Sequence, residues 1–375
     1  MSLLSGIRYG GIPYFKNLIP ALAEVDKNNE YHIFIQEDNP LLHSINEDNF
    51  FFHVCHFNTR VAFVRHSWEQ FILPKEVKKS KIDILFTAKN TNIFLAQCKT
   101  IISIRNMEPL CYKNYRNHWQ LNFFSWIRRC LTNASIKKAD RVIAVSRFAR
   151  DYLGRNFEGI LNKVDIAYNG NSITNGIIGE THNNTSNVKI DIPFFISSSK
   201  FVVYANQLNL LKGYALLYKK NRKLPPIYFA GHVHDKVYYN EINKFIDVNG
   251  ISHKVKFLGY LSHEDLIRLY CKAFAFIFPS TLEACPQTLI EVMACGVPIA
   301  TSNIPPMPEM CEDAAVYFDP FDERDIAEKI ELLLNDEKHR YNLKKASLER
   351  CKFFDWKKTA LEIVESFEKC YINSV

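Results

Sequence analysis

The sequence predicts an α/β protein made of two doubly wound parallel sheets in succession. Three observations carry that expectation. Short apolar runs recur along almost the whole chain, stretches with helical spacing lie between them, and the rhythm plays through twice with a polar interruption near the middle. Short apolar runs alternating with helices indicate strands buried on both faces, the pattern of a parallel sheet covered by helices on each side. A length of 375 residues exceeds one ordinary core and fits two domains of average size.

In the first half, strands are expected at Tyr31–Ile35, Phe51–Cys55, Ile82–Phe86, Ile101–Ile104, Arg141–Val145 and Val164–Ala167. One oddity stands before them. A doubly wound domain opens with a buried strand leading into its first glycine loop, yet only Met1–Ser5 precede Gly6 and the Gly10–Gly11 pair. Either that strand is very short or only part of it is present in this chain. In the second half, strands are expected at Phe201–Ala205, Ile227–Ala230, Val255–Leu258, Phe274–Phe278, Pro298–Thr301 and Val316–Phe318. Helical spacing marks Tyr238–Val248, His263–Ala273, Thr288–Ala294, Asp325–Leu334 and Trp356–Tyr371. Asn169–Lys200, rich in Asn, Ser, Thr, Gly and Ile without a clear period, reads as the connection. The expected limits are therefore residues 1–170 and 200–354 for the domains, with 171–199 between them.

Composition narrows the class. With 47% apolar and 23% charged residues, the chain resembles an ordinary soluble globular protein. Runs such as Ala273–Pro279 stop well short of the ~20 residues a spanning helix needs. No basic region followed by an apolar core opens the chain, so no secretory signal is expected. Ten cysteines without any C-x-x-C pair point to buried thiols rather than disulfides or zinc. His53, Cys55 and His56 alternate along a strand and so face opposite sides; no metal is expected there. Charge is uneven: residues 1–168 carry 23 Lys+Arg against 15 Asp+Glu, the remainder 24 against 25. A basic first half suits an anionic partner, whether phosphorylated lipid, membrane surface or nucleic acid, and equally a merely solvated surface. Within it, Lys113–Lys138 mixes Trp119, Phe123, Phe124 and Trp126 with Arg116, Arg128, Arg129, Lys137 and Lys138. Such a helix either lies on an anionic membrane or has aromatics in the core and cations in water, and the second reading is preferred.

The residues that carry chemistry lie in Pro279–Pro308, PSTLEACPQTLIEVMACGVPIATSNIPPMP. Glu283 falls after a strand and before a helix; Glu291 follows eight residues on, inside that helix, among Leu289, Ile290, Val292, Met293 and Ala294. A carboxylate in such company is desolvated or aimed at a partner. The carboxyl end of a parallel strand followed by a helix N-terminus is where open α/β sheets bind ligands, phosphate especially. Gly296 and Pro298 then stop the helix. On spacing alone, an exposed Glu beside an unrelated loop Glu fits equally well.

Pro279–Pro298 resembles the E-x7-E signature of the family-4 (group 1) glycosyltransferases, usually S-x-x-E-G-F-G-x-x-x-x-E-A-M-A-x-G-x-P. Lys212–Gly213 resembles the family's K-G; Val255–Tyr260 (VKFLGY) and Asp265–Ala273 its V-x-F-L-G … L-x-x-L-Y-x-x-A stretch. Ala139–Ala149 with Asn169–Gly170 is similar to the end of its first domain, Gly10–Gly11 with Asn17–Ala23 to its opening loop and helix, and Phe354–Trp356 to the start of its last helix. The resemblance thus runs over most of the chain. It implies the GT-B architecture: two Rossmann-like doubly wound domains facing across a cleft, acceptor on the first, donor on the second, and a C-terminal helix (355–375) crossing back to the first. It also implies anomeric retention and no metal ion.

Carried over position by position, Glu283 accepts hydrogen bonds from donor-sugar hydroxyls and Glu291 from the ribose hydroxyls. An ionised carboxylate has about four acceptor sites, enough for two vicinal hydroxyls. Lys212 neutralises the diphosphate as the glycosidic bond breaks. Gly10 and Gly11 approach the same diphosphate by backbone, and the amides of Gln287 and Thr288, with Leu258 of VKFLGY, complete the donor site. No protein base is named, since the donor's own phosphate oxygen can take the acceptor proton. Three departures stand out. The usual Arg five residues before the Lys is Gln207; the usual H-D after the fourth strand is Arg105–Asn106, which brings a cation; the second signature glycine is Pro286, which lacks an N–H. The expectation is transfer of a hexose-type sugar from a nucleotide-diphosphate sugar to a glycan or lipid-linked acceptor in surface polysaccharide or glycolipid synthesis. The expected setting is cytoplasmic, peripheral to the inner face of the membrane, with no nucleic-acid partner. Two rivals are a non-catalytic sugar-nucleotide-binding protein, favoured by Gln207 and Arg105, and another enzyme of this architecture. Intact E-x7-E with K-G disfavours an epimerase, and no Schiff-base lysine marks a phosphorylase.

Overall fold

A computed structural model describes residues 1, 11–37, 39–43, 45, 47–56, 61–111, 119–173 and 193–372. The chain forms two compact units, Met1–Gly170 with Phe354–Val375 and Asn171–Phe353. Gly10 lies outside the described residues, and Gly11 is the first residue of a helix.

The first unit runs α1 (Gly11–Val25), β1 (Tyr31–Ile35), β2 (Phe50–Val54), α2 (Ala62–Phe71), α3 (Leu73–Lys79), β3 (Ile84–Thr87), β4 (Lys99–Ile104), α4 (Glu108–Cys111), α5 (Trp119–Lys138), β5 (Arg141–Ala144), α6 (Arg147–Asn156) and β6 (Val164–Ile166). All pairings are parallel, β1 with β2 and β3-β4-β5-β6 in sequence order. Every strand expected in this half forms within two residues of its expected place. The cause is simple burial: Ile33, Phe86, Ile101 and Ile143 are all enclosed by helices. In α5, Trp126 is 51% exposed while Ser135 and Ile136 are buried, and Arg128 reaches Glu108 at 2.7 Å. One of its cations is thus paired as well as exposed. The side chains of Trp119, Phe123 and Phe124, named as core aromatics, lie outside the described residues.

The second unit runs β7 (Phe195–Ser198), α7 (Gln207–Lys220), β8 (Ile227–Ala230), α8 (Lys236–Val248), β9 (Val255–Gly259), α9 (His263–Lys272), β10 (Ala275–Phe278), α10 (Gln287–Ala294), β11 (Ile299–Ser302), α11 (Met307–Cys311), β12 (Ala315–Phe318), α12 (Glu323–Asn335) and α13 (Glu337–Arg350). Its six parallel strands are ordered β12-β11-β10-β7-β8-β9. Strand order therefore reverses between β7 and β10, and there a doubly wound sheet opens a crevice at its carboxyl edge.

One strand sits elsewhere than expected. Phe201–Ala205 is no strand; its last three residues turn as a 3-10 helix, and the strand is Phe195–Ser198, inside the stretch read as connection. Its outgoing half is Ser-Ser, which hides it from an apolar count, yet both serines are buried and Ser198 Oγ hydrogen-bonds the Tyr270 hydroxyl. Leu258 is the extra residue of a bulge: Phe229 pairs with Phe257 and Ala230 with Gly259.

The last helix, α14 (Trp356–Ile372), belongs to the first unit. Its Trp356, Ala360 and Ile363 bury against Leu18, Ile19 and Leu22 of α1, and Thr359 Oγ1 donates to the Tyr168 carbonyl at 2.7 Å. All ten cysteines are free thiols.

Candidate functional site

The crevice of the second unit is assembled by two loops, Ser199–Asn206 after β7 and Pro279–Pro286 after β10. They are stitched together: Thr281 N–H and Oγ1 both donate to the Tyr204 carbonyl, at 2.8 and 3.0 Å. Asn206 takes a left-handed conformation and spends its side-chain amide on the Pro279 and Pro320 carbonyls, at 3.2 and 2.7 Å. Ser302 Oγ holds the Ser280 carbonyl at 2.6 Å. Such a loop pair is fixed before any ligand arrives.

Helix capping is also open at this place, as it is at the short α11. In this unit α8, α9, α12 and α13 are each closed by a side chain, from Asp235, Ser262, Asp322 and Asp336. The two helices that begin at the crevice, α7 and α10, have no side-chain cap; Pro286 at the head of α10 has no polar side chain to offer. A helix start with its positive dipole end left to other partners suits an anion. Gln287 and Thr288 are the first two residues of α10, both partly buried.

Glu283 lies partly buried in the β10–α10 loop and accepts from Ser280 Oγ at 2.9 Å. Burial pushes its carboxyl up to about 7, while the Ser280 hydroxyl and the Lys200 ammonium pull the other way. Glu291 is buried at 7% exposure, and its Oε1 lies 3.0 Å from His263 Nε2 at the first residue of α9. The desolvated carboxylate that the apolar helix implied is thus met by an imidazole from the neighbouring helix.

Lys212 sits in the second turn of α7, partly buried, donating to Asn209 Oδ1 at 3.1 Å. The following Gly213 is demanded by packing: a Cβ there would stand 2.8 Å from Ile326 Cγ2 and 2.9 Å from the Glu323 carbonyl of α12. K-G therefore seats α7 against α12 and fixes where Lys212 starts. Gln207 is enclosed at 1% exposure; its Nε2 donates to Ser199 Oγ at 2.8 Å and to the Lys200 carbonyl at 3.1 Å, and its Oε1 has no partner. Its donor group serves the loop.

Glu283, Glu291, Lys212, Gln207, Gln287, Thr288 and Leu258 all belong to the second unit; Arg105 and Gly11 belong to the first. Arg105 follows β4. Its backbone N–H donates to Asn90 Oδ1 at 3.0 Å, its Nη1 to Asn169 Oδ1 at 3.0 Å, and its guanidinium stacks 3.6 Å over the Tyr14 ring. Asn169, of the Asn169–Gly170 motif, thus orients Arg105. Two residues escaped the sequence reading. His263 opens an unremarkable amphipathic helix and offers no signal by itself. Lys200 ends the Ser-Ser-Ser-Lys run that closes β7, and placing the strand at Phe201–Ala205 hid its position at a strand's carboxyl end. Among the described residues, no group of three or more His, Cys, Asp or Glu side chains is placed to hold a metal ion. No described helix is long and apolar enough to cross a membrane.

Comparison with known proteins adds the family. Residues 180–350 match the family model for glycosyl transferases group 1, and residues 10–173 that for Glycosyltransferase Family 4. The chain is 30% identical over 165 residues to O-antigen chain mannosyltransferase B of Escherichia coli, covering 44% of this chain and 42% of that protein. It is 26% identical over 288 residues to a serotype-specific mannosyltransferase, WbdA, of the same organism, covering 74% of this chain and 34% of that one. The match spans well under half the length of both relatives. In structure it is similar to Anabaena Alr3699/HepE solved in complex with UDP-glucose, with a TM-score of 0.70 at 16% identity, covering 97% of each chain.

Proposed function

Because this chain belongs to the group 1, family-4 glycosyltransferases and has their GT-B fold, we propose that it moves a hexose from a nucleotide-diphosphate sugar to a glycan or lipid-linked acceptor, retaining the anomeric configuration without a metal ion. The observation that carries this reading is the placement of Glu283 and Glu291 in the loop and helix that follow β10 at the strand-order reversal, where α7 and α10 begin without side-chain caps. In this reading Glu291, held by His263, accepts both ribose hydroxyls. Glu283 accepts from the sugar and orients the anomeric carbon. The diphosphate lies at the N-terminus of α10, where Gln287 and Thr288 supply backbone N–H groups, with Lys212 and Lys200 as its cations. Leu258 lines the base side, and Gly11 and Arg105 bring the first domain's contribution. As the glycosidic bond breaks, its electron pair passes to the diphosphate oxygen, and the cations stabilise that growing charge. The mannosyltransferase relatives favour a mannose-type donor and surface polysaccharide as the product; the UDP-glucose neighbour makes UDP-glucose the second donor to try.

The test is a panel of nucleotide sugars with and without a chelator, following nucleoside diphosphate release and the anomeric configuration of the product. Turnover of one donor that survives the chelator, with retention, is expected. Tight binding with neither transfer nor hydrolysis would favour a non-catalytic sugar-nucleotide binder instead.

Glu283 makes that activity depend on pH. Ionised, it accepts sugar hydroxyls; protonated, it loses acceptor capacity. With its carboxyl raised to about 7, kcat/KM should fall on the acid side with a midpoint near that value, and Glu283→Gln should lower activity and abolish this limb. The sign for stability is opposite. A carboxyl raised above its unfolded value of about 4.3 keeps its proton longer in the native state, so its contribution is full at low pH and lost as pH rises through about 7. Urea unfolding of parent and Glu283→Gln at pH 5 and 8 reads the difference; equal pH dependence of the two proteins counts against the assignment.

A further inference from the structure

Helix α2 turns two polar side chains inward and most of its apolar ones outward. Its carboxylate, Glu69, is fully buried, with Lys89 Nζ at 2.6 Å and His66 Nδ1 at 3.4 Å. Beside it Gln70 is tied to the body of the domain, donating to the Asn92 carbonyl at 3.0 Å and accepting from Phe94 N–H at 2.9 Å. Glu69 and Gln70 thus face the protein alongside Trp68, which packs on the core beneath, while His66 stays half-exposed. The phenylalanines face away: Phe63 is 80% and Phe71 61% exposed, two turns apart on one stripe, with Val61, Val64 and Ile72 also exposed. A helix on a domain surface ordinarily turns its apolar stripe inward. Reversing it requires desolvating a carboxylate, a cost offset here by a lysine supplied for the purpose. Five large apolar side chains within residues 61–72 form the kind of patch that marks an interaction surface.

Charge names the partner. Directly after the stripe, α3 and its exit carry Lys75, Lys78, Lys79 and Lys81, all exposed, against two acids, the partly buried Glu76 and the exposed Asp83. A second copy of this chain docking face to face would bring two such lysine clusters together and be repelled. Exposed aromatics beside a lysine cluster fit an anionic lipid surface, where rings enter the interface and ammonium groups meet headgroups. We propose that α2 and α3 form the membrane-docking face of the first domain, with Phe63 and Phe71 as the inserted side chains and the lysines as the headgroup contacts. From sequence, a membrane role was weighed for the Lys113–Lys138 helix and the core reading preferred; the structure gives exposed apolar and basic side chains together in α2–α3. None of these residues belongs to the donor site, so failure here leaves the transferase reading intact.

The experiment is flotation of the whole chain with vesicles of phosphatidylcholine alone, or with about a third phosphatidylglycerol, at low and high salt. Binding to the anionic vesicles only, with release by salt, is expected. Phe63→Ser with Phe71→Ser, and separately Lys75→Ala with Lys78→Ala and Lys79→Ala, should each reduce binding about tenfold or more. All five side chains are solvent-exposed, so thermal midpoints should match the parent's, and donor turnover in free solution should not change. Failure of the parent to float with anionic vesicles overturns the proposal, as do variants that float like the parent. A dimer in light scattering that becomes a monomer in the phenylalanine variant would assign the face to a second copy and likewise overturn it.

Discussion

Glu291→Ala is expected to weaken nucleotide-sugar binding by at least about a hundredfold and to leave the chain folded. The magnitude follows from losing hydrogen bonds of two ribose hydroxyls to a charged acceptor, each worth about 1.5–3 kcal/mol. Stability should move little, although the residue is only 7% exposed. The side chain it meets, His263, is half-exposed, so the lost pair is worth about 1 kcal/mol or less. That asymmetry is the informative part: a buried carboxylate kept for the fold would cost stability, and one kept for a ligand costs affinity. Two further variants sharpen the result. Glu291→Gln keeps the volume but only one acceptor oxygen, and should fall between parent and alanine. His263→Ala leaves the carboxylate and removes what orients it, so donor Kd should rise while kcat stays near the parent value. A donor Kd unchanged in Glu291→Ala, measured by calorimetry, would remove the ribose role.

The signature was legible because it answers to local chemistry. Glu283 and Glu291 lie around a strand exit and a helix start, and eight residues of sequence are enough to show both. The strands of the second sheet were equally plain where both faces are apolar, as in Ala275–Phe278 and Ile227–Ala230. β7 was not, because its two buried serines reduce the apolar signal, and the partner that satisfies the Ser198 hydroxyl, Tyr270, is far away in sequence. That single shift had a consequence in the site. With the strand placed too late, Lys200 fell in what was read as connection. The His263–Glu291 contact spans 28 residues and two helices, so no local pattern carries it. Nor does sequence show α2 to be reversed: its apolar stripe is visible, but which way it faces depends on Lys89, supplied by the loop after β3.

The largest loss of turnover is expected at the two lysines of the crevice. A diphosphate carries roughly two negative charges, and the leaving group gains more as the bond to the sugar breaks. On sequence alone Lys212 was the sole assured cation, with Gln207 in the arginine position, so Gln207→Arg would be expected to tighten donor binding. That expectation holds only if nothing else has taken the arginine's place, and the surroundings of Gln207 favour another outcome. Gln207 is enclosed, and its amide fastens Ser199 and the Lys200 carbonyl; an arginine there must bury a guanidinium and break the tie. Gln207→Arg should therefore lower stability and loosen the loop that carries Lys200. That lysine leaves the carboxyl end of β7, its charge is felt at Glu283, and its Nζ lies 5.2 Å from the centre of the Tyr204 ring. Lys200→Ala and Lys212→Ala should each reduce kcat by about a hundredfold to a thousandfold, the roughly 2.7–4 kcal/mol lost with one donor to a developing oxyanion. If both act on one diphosphate, the double variant should fall short of the product of the singles, because removing the first already displaces the group the second would meet. Arg105 decides the remaining choice. It is held by Asn169 and stacked on Tyr14 in the first domain. An Arg105→Ala loss equal to that of Lys212→Ala, alongside an unimpaired Lys200→Ala, would transfer the second cation to the first domain. Full activity in Lys212→Ala would remove the diphosphate from this crevice altogether.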